Sequence, residues 1–157
     1  MAKKLFVVNE WLISDLNGEN GVEKRAESLE FILLLKKKCD RIAVLAGSPW
    51  MQKAYALMSS KDNATRRLSK ELHLAVLRDS NKCSLVYEKE CAPVPQFLKD
   101  RIHDKDEYLF RLLYAASADT LVTTDQRLAE QVAELQSDKP KISLRDDFLR
   151  EYRCEEG

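Results

Sequence analysis

Two stretches, Leu5-Phe6-Val7-Val8-Asn9-Glu10-Trp11 and Ala118-Asp119-Thr120-Leu121-Val122-Thr123-Thr124-Asp125, decide the fold. Each is a short apolar run, rich in β-branched residues, followed at once by polar side chains. An apolar run without polar alternation suits a strand covered on both faces, as in a parallel sheet. Polar groups set just past such strands fall at the carboxyl edge of the sheet, where open α/β folds hold their ligands.

Outward from these two stretches, strand and helix signals alternate. Arg41-Ile42-Ala43-Val44-Leu45-Ala46 reads as a second buried strand, Cys83-Ser84-Leu85-Val86-Tyr87-Glu88 as a third, and Lys141-Ile142-Ser143 as a short last one. Residues 10–16 turn helical until Asn17-Gly18-Glu19-Asn20-Gly21 breaks the pattern with turn formers. Residues 22–38 read as a long helix with Ala26, Leu29 and Leu33 on one face and a basic end, Lys36-Lys37-Lys38, that complements the helix dipole. Ser48-Pro49 starts another over residues 50–58. Further helices are expected over residues 63–78, with Leu68, Leu72, Ala75 and Val76 inward, and over 104–117, 126–135 and from about 146. Ala92-Pro93-Val94-Pro95 cannot lie in a central strand. The alternation predicts one α/β domain over residues 1–157, a three-layer α/β/α sandwich around a mainly parallel sheet with residues 5–8 at its centre.

Composition narrows the function. The 157 residues hold 26 Lys plus Arg against 26 Asp plus Glu, so no global basic field marks the chain as a nucleic-acid binder. Any such contact needs a local patch. Arg66, Arg67, Lys70, Arg78 and the run of lysines at 36–38 are the candidates, although a charge run is more often a solvated helix face. Cys39, Cys83, Cys91 and Cys154 form no C-x-x-C pair and read as reduced thiols rather than a zinc site. No signal segment or bilayer-length apolar run is evident, which points to a cytoplasmic protein with no membrane partner. Four glycines leave no phosphate-binding loop or dinucleotide fingerprint.

The carboxylates carry the chemistry. On the helix of residues 104–117, Asp106 lies roughly 60° from the centre of the stripe Leu109, Leu112, Leu113 and Ala116, and Glu107 roughly 160° away. Asp106 is therefore expected at the rim of the packed face and Glu107 in solvent, while the first helical turn also favours acids for capping alone. Asp125 follows its strand on the same edge as Asn9. Asp119 opens that strand, about 20 Å from Asp125, and reads as a turn or cap residue. Oxygen ligands at one sheet edge suit Mg²⁺ or Mn²⁺ and hydrolytic phosphodiester chemistry. His73 reads as structural, and His103, beside Asp104, as a poor candidate for proton transfer. Trp11 and Trp50 follow strands and read as packing groups before base-stacking ones.

A hydrophobic strand ending in a carboxylate position, a distant helix opening with Asp and rich in Leu, then Ala118-Asp119-Thr120-Leu121-Val122-Thr123-Thr124-Asp125 resemble the PIN-domain ribonuclease family over nearly the whole chain. The resemblance implies an α/β/α sandwich and Mg²⁺- or Mn²⁺-dependent cleavage of RNA by clustered acids. It sets Asn9 at the first acidic position, Asp106 at the third, Asp125 at the fourth and Thr123 as a supporting hydroxyl. Asn9 departs from the family's aspartate, either by natural divergence or by an engineered silencing of a toxic nuclease. The second acid is unmatched in Ser48-Pro49-Trp50-Met51-Gln52-Lys53-Ala54-Tyr55, with Glu10, Asp15, Glu27 and Glu71 as substitutes. The expected function is a PIN-type endoribonuclease acting on RNA, inactive as given if Asn9 silences it. The rival is a degenerate module that binds RNA or a protein partner. Homodimers and inhibitor partners belong to the family by analogy. A phosphoacceptor receiver domain is disfavoured, since it needs an aspartate at the end of the middle strand.

Overall fold

A computed structural model describes residues 4–133 and 141–154. Five strands, β1 (Leu5–Val8), β2 (Arg41–Leu45), β3 (Cys83–Val86), β4 (Thr120–Thr123) and β5 (Lys141–Leu144), form one sheet in the order β3-β2-β1-β4-β5. Every pairing is parallel, and β1 is central, as the unbroken apolar run of residues 5–8 requires. Eight α-helices accompany them among the described residues: α1 (Trp11–Leu16), α2 (Val22–Lys37), α3 (Pro49–Ala56), α4 (Asn63–Leu72), α5 (Gln96–Lys99), α6 (Glu107–Ala115), α7 (Gln126–Ala133) and α8 (Arg145–Cys154). The last two residues expected in the helix 126–135 lie outside the described residues.

Strand residues alternate between two apolar layers because successive side chains leave a sheet on opposite faces. Phe6, Val8, Ile42, Val44 and Val122 pack with α1, α2, α3, α4 and α8. Leu5, Val7, Ala43, Leu45 and Leu121 pack with α5, α6 and α7. The result is a three-layer α/β/α sandwich. Phe148 of α8 anchors the first layer, its ring edge-on to Phe6 at 4.9 Å and to Phe31 at 5.8 Å.

The order of strands fixes where a ligand site falls. The chain steps from β1 out to β2 and β3 through helices on one face, then returns beside β1 as β4 and steps out to β5 through α7 on the other face. Right-handed crossovers force opposite faces for opposite directions of travel. The carboxyl ends of β1 and β4 are thus left uncovered as a crevice at the topological switch point.

Three local expectations change. Helix α2 buries Ser28, Phe31, Ile32 and Leu35, whereas Ala26 is exposed, Leu29 half-buried and Leu33 46 % exposed. The run Phe31-Ile32-Leu33-Leu34-Leu35 is apolar all round, so periodicity could not phase the helix; a buried acid on α1, described below, draws Ser28 inward. The helix expected over 63–78 is α4 followed by a π-helical turn, His73–Leu77. The helix expected from 104 begins with a 3₁₀ turn, Asp104–Asp106, before α6. Asp119 caps the opposite edge of the sheet, its Oδ2 accepting the Leu5 N–H at 2.8 Å. All four cysteines are free, and burial pushes the Cys83 thiol up to about 11. Among the described residues no helix is long and apolar enough to cross a membrane.

Candidate functional site

At the switch point β1 and β4 pair in register, Val8 beside Val122, and the Asn9 N–H continues the ladder to the Val122 carbonyl at 3.0 Å. That register brings Asn9 and Thr123 together. Asn9 Nδ2 donates to Thr123 Oγ1 at 3.3 Å, and Asn9 Oδ1 accepts the Glu10 N–H at 2.7 Å. Thr123 is fully buried, and its Oγ1 also accepts the Asp125 N–H at 3.1 Å. One hydroxyl therefore ties the ends of both strands. Asp125 is exposed and caps α7, its Oδ1 accepting the Leu128 N–H at 3.0 Å.

Asp106 reaches the same cleft from the start of α6. It is 9 % exposed, and no hydrogen bond or ion pair from the described residues reaches its carboxylate. Burial raises its pKa first; Asp125 and Glu10 raise it further, against the pull of Lys105 and His103. Glu107, by contrast, turns to Lys99 at 3.8 Å. His103 accepts the Lys105 N–H through Nδ1 at 3.3 Å and so caps the 3₁₀ turn.

The cleft has a volume of about 1030 Å³ and takes residues from α1, α2, α3, α7, β5 and α8, with Asn9 and Glu10 just past β1, Asp125 just past β4, and Lys105 and Asp106 from the 3₁₀ turn that precedes α6. Of the four substitute acids, Glu10 and Asp15 line it. Glu10 is ion-paired with Lys53 of α3 and accepts from the Tyr108 hydroxyl at 3.3 Å; burial, then Glu10, push the Tyr108 pKa upward. Asp15 is committed elsewhere. Its carboxylate, 1 % exposed, accepts from Arg145 Nε at 2.8 Å, Ser28 Oγ at 2.7 Å and Asn20 Nδ2 at 2.7 Å. Glu27 binds the same Arg145 at 3.1 Å, and Glu71 reaches for Lys36 at 4.0 Å.

Sequence reading missed Lys53, Lys105, Tyr108 and Arg145. Lys53 had a positional signal, since it stands in the stretch searched for the second acid. Arg145 had none, because only folding stacks it over Trp11, at 5.4 Å, and onto Asp15. Trp11 and Trp50 are both buried, donating through Nε1 to the Val122 carbonyl at 2.9 Å and the Asn9 carbonyl at 3.3 Å, so they brace the site as packing groups. His73 is buried with Nε2 on the Ala54 carbonyl at 3.0 Å.

Among the described residues no three His, Cys, Asp or Glu side chains already converge on one point. A magnesium ion keeps several waters and needs only one or two carboxylates plus substrate phosphate. Asp106 and, among the described residues, the unbonded Oδ2 of Asp125 meet that requirement in donor chemistry, and a cation would relieve the penalty that burial first, and Asp125 and Glu10 after it, set on the Asp106 charge. The cleft lining is also acid-rich: seven acids (Glu10, Asp15, Glu19, Asp106, Asp125, Asp146, Asp147) face four cations (Lys24, Lys53, Lys105, Arg145).

The raised pKa has a stability consequence. Folded Asp106 holds its proton to higher pH than the unfolded chain does, so between the two pKa values the folded state binds more protons and stability falls as pH rises. Asp106→Asn is expected to stabilise the protein at pH 7 by about 0.5–1 kcal/mol, the usual size of a favourable replacement. The gain should shrink below the Asp106 pKa, which urea unfolding at pH 4 and pH 7 would show; a loss of stability at pH 7 contradicts an unpaired, repelled carboxylate.

Comparison with known proteins returned no matching family model, no matching curated protein and no matching solved structure.

Proposed function

We propose that the chain is a PIN-type ribonuclease module whose switch-point cleft takes an RNA phosphodiester with Mg²⁺ or Mn²⁺ held by Asp106 and Asp125. The observation that carries this reading is Asp106 itself, a residue 9 % exposed that lines the cleft, its carboxylate without a hydrogen-bond or ion-pair partner among the described residues and its charge disfavoured first by burial and then by Asp125 and Glu10, against Lys105 and His103. Evolved sites tolerate such a cost where the charge is used. An acid-rich cleft also repels a polyanion unless cations enter with it.

The chain's own groups divide the work. Thr123 positions Asn9 and Asp125 through one hydroxyl, and Trp11 and Trp50 lock the backbone around Asn9. Lys53 and Lys105 supply fixed positive charge at the cleft wall for phosphate oxygens. When bound, the divalent ion supplies an acidified water and offsets phosphate charge during in-line displacement. Asn9 leaves a ligand position neutral, which weakens the ion's hold.

The test is cleavage of labelled RNA in Mn²⁺ by the chain as given, by Asn9→Asp, and by Asn9→Asp combined with Asp106→Asn or Asp125→Asn. Cleavage by Asn9→Asp that either second change abolishes supports the reading. Cleavage unaffected by Asp106→Asn contradicts it. A second reading, a non-catalytic RNA-binding module, draws on the Lys53 ion pair with Glu10, a fixed cation already among the acids. RNA binding without cleavage by any form favours it.

A further inference from the structure

Beside α4 and the π-helical turn lies a second groove, of about 300 Å³, lined by Met58, Arg66, Lys70, His73, Leu74 and Arg78. It contains three permanent cations and no acid. Among the described residues no ion pair reaches any of the three; Arg66 donates to the Ser60 carbonyl at 2.7 Å and to Asn63 Oδ1, both neutral acceptors. Met58 and Leu74 are exposed apolar groups. Tyr55, also exposed, sets its ring against His73 at 5.1 Å between centroids. In a chain with no net charge, this is a strong local excess of positive charge.

The π-turn builds the groove. The Arg78 N–H bonds the His73 carbonyl at 2.8 Å, an i to i+5 closure that inserts one residue and sets back the helix beyond it by about 100°. On an uninterrupted helix Arg78 would stand about 120° from Arg66. The inserted residue brings it to within about 20°, in line with Arg66 and Lys70. Single π-turns of this kind recur at functional sites.

We propose that this groove is a binding site for single-stranded RNA, separate from the acidic cleft, with Arg66, Lys70 and Arg78 on phosphates and a base set on the Met58–Leu74 surface beside Tyr55. It rests on the reading of RNA as substrate. A cationic track with an adjacent aromatic ring is what non-specific single-strand binding requires, and the pocket volume suits one base. Arginines match phosphate and carboxylate alike with paired donors, so it is the exposed Tyr55 ring beside them, a stacking face for a base, that favours RNA over an acidic peptide.

Fluorescence anisotropy with a labelled twelve-residue oligouridine tests the site on the full chain in EDTA, where cleavage plays no part. Lys70→Glu with Arg78→Glu is expected to raise Kd at least tenfold, and Lys70→Gln with Arg78→Gln to lower the slope of log K against log salt by about 1.4, two phosphates' worth on a single strand. Tyr55→Ala is expected to weaken binding about tenfold. These side chains are exposed, and unchanged circular dichroism confirms that the variants fold. An unchanged Kd and slope in folded variants overturns the site, as does binding of a Glu/Leu peptide with no binding of RNA. Cleavage by Asn9→Asp that the groove variants leave unaltered overturns the groove alone. Groove-dependent binding without cleavage by Asn9→Asp leaves the groove standing and removes the nuclease.

Discussion

Arg145→Ala is expected to destabilise the protein by about 3–5 kcal/mol, because it strands a buried charge. Arg145 is 3 % exposed and joins Asp15, Glu27 and Asp146, with Nη2 on the Lys24 carbonyl at 3.2 Å. Without it, among the described residues the Asp15 carboxylate keeps Ser28 and Asn20, two neutral donors, to offset its charge. For a chain of this length the loss corresponds to roughly 6–20 °C in Tm. Asp15→Leu combined with Arg145→Met removes both charges and is expected to recover most of the loss, since an apolar pair of similar volume often equals a buried ion pair. Urea unfolding of the two single variants and the double variant measures the coupling. A loss below about 1 kcal/mol for Arg145→Ala would mean that water enters and solvates Asp15.

The network also shapes the cleft, because Asp15 and Arg145 form part of its wall while Ser28 ties α2 to α1. Hydrogen bonds from Lys24, then from Arg145, hold the Asp146 carboxyl below its ordinary value. That contribution is present above the unfolded pKa and is lost as pH falls through the folded one, opposite in sign to Asp106.

Asn9→Asp carries the largest expected effect on activity, on the order of a hundredfold more cleavage at limiting Mn²⁺, since cation affinity follows the charge of the ligands. The exchange is nearly isosteric, and Thr123 is built to tolerate it. Its hydroxyl now accepts from Asn9 Nδ2 and the Asp125 N–H, which leaves its proton free to donate to the carboxylate oxygen that takes the place of Nδ2. The fold should therefore persist, with stability lowered at neutral pH by added repulsion among Glu10, Asp106 and Asp125 and restored by Mn²⁺. Thermal unfolding with and without Mn²⁺ reads this apart from activity. A Tm that does not respond to Mn²⁺ in Asn9→Asp, together with no cleavage, would sink the metal-dependent reading.

Sequence and structure meet at particular residues. The runs at residues 5–8 and 120–123 were legible as buried parallel strands because they lack polar alternation, and Asn9 and Asp125 followed from their position at the strand ends. Helix phase ranked Asp106 as more buried than Glu107, although Asp106 stands in a 3₁₀ turn and Glu107 is half-buried against Lys99 rather than solvated. Asp119 was separable from Asp125 by strand length alone. Helix α2 was misphased because an all-apolar run has no periodic signal, and the π-turn after α4 escaped notice because one inserted residue leaves the local composition unchanged.

By itself the sequence determined the α/β class, the central place of β1 and which polar groups stand at the ends of strands, since each is set by local periodicity and by burial on one or two faces. Only the tertiary structure decided that β1 and β4 are neighbours, that Glu10 enters the cleft on the arm of Lys53, and that Arg145 closes on Asp15 far back in the chain. Those outcomes depend on strand order, crossover hand and the need to pair buried charge, and such long-range terms leave no mark on a local stretch of residues.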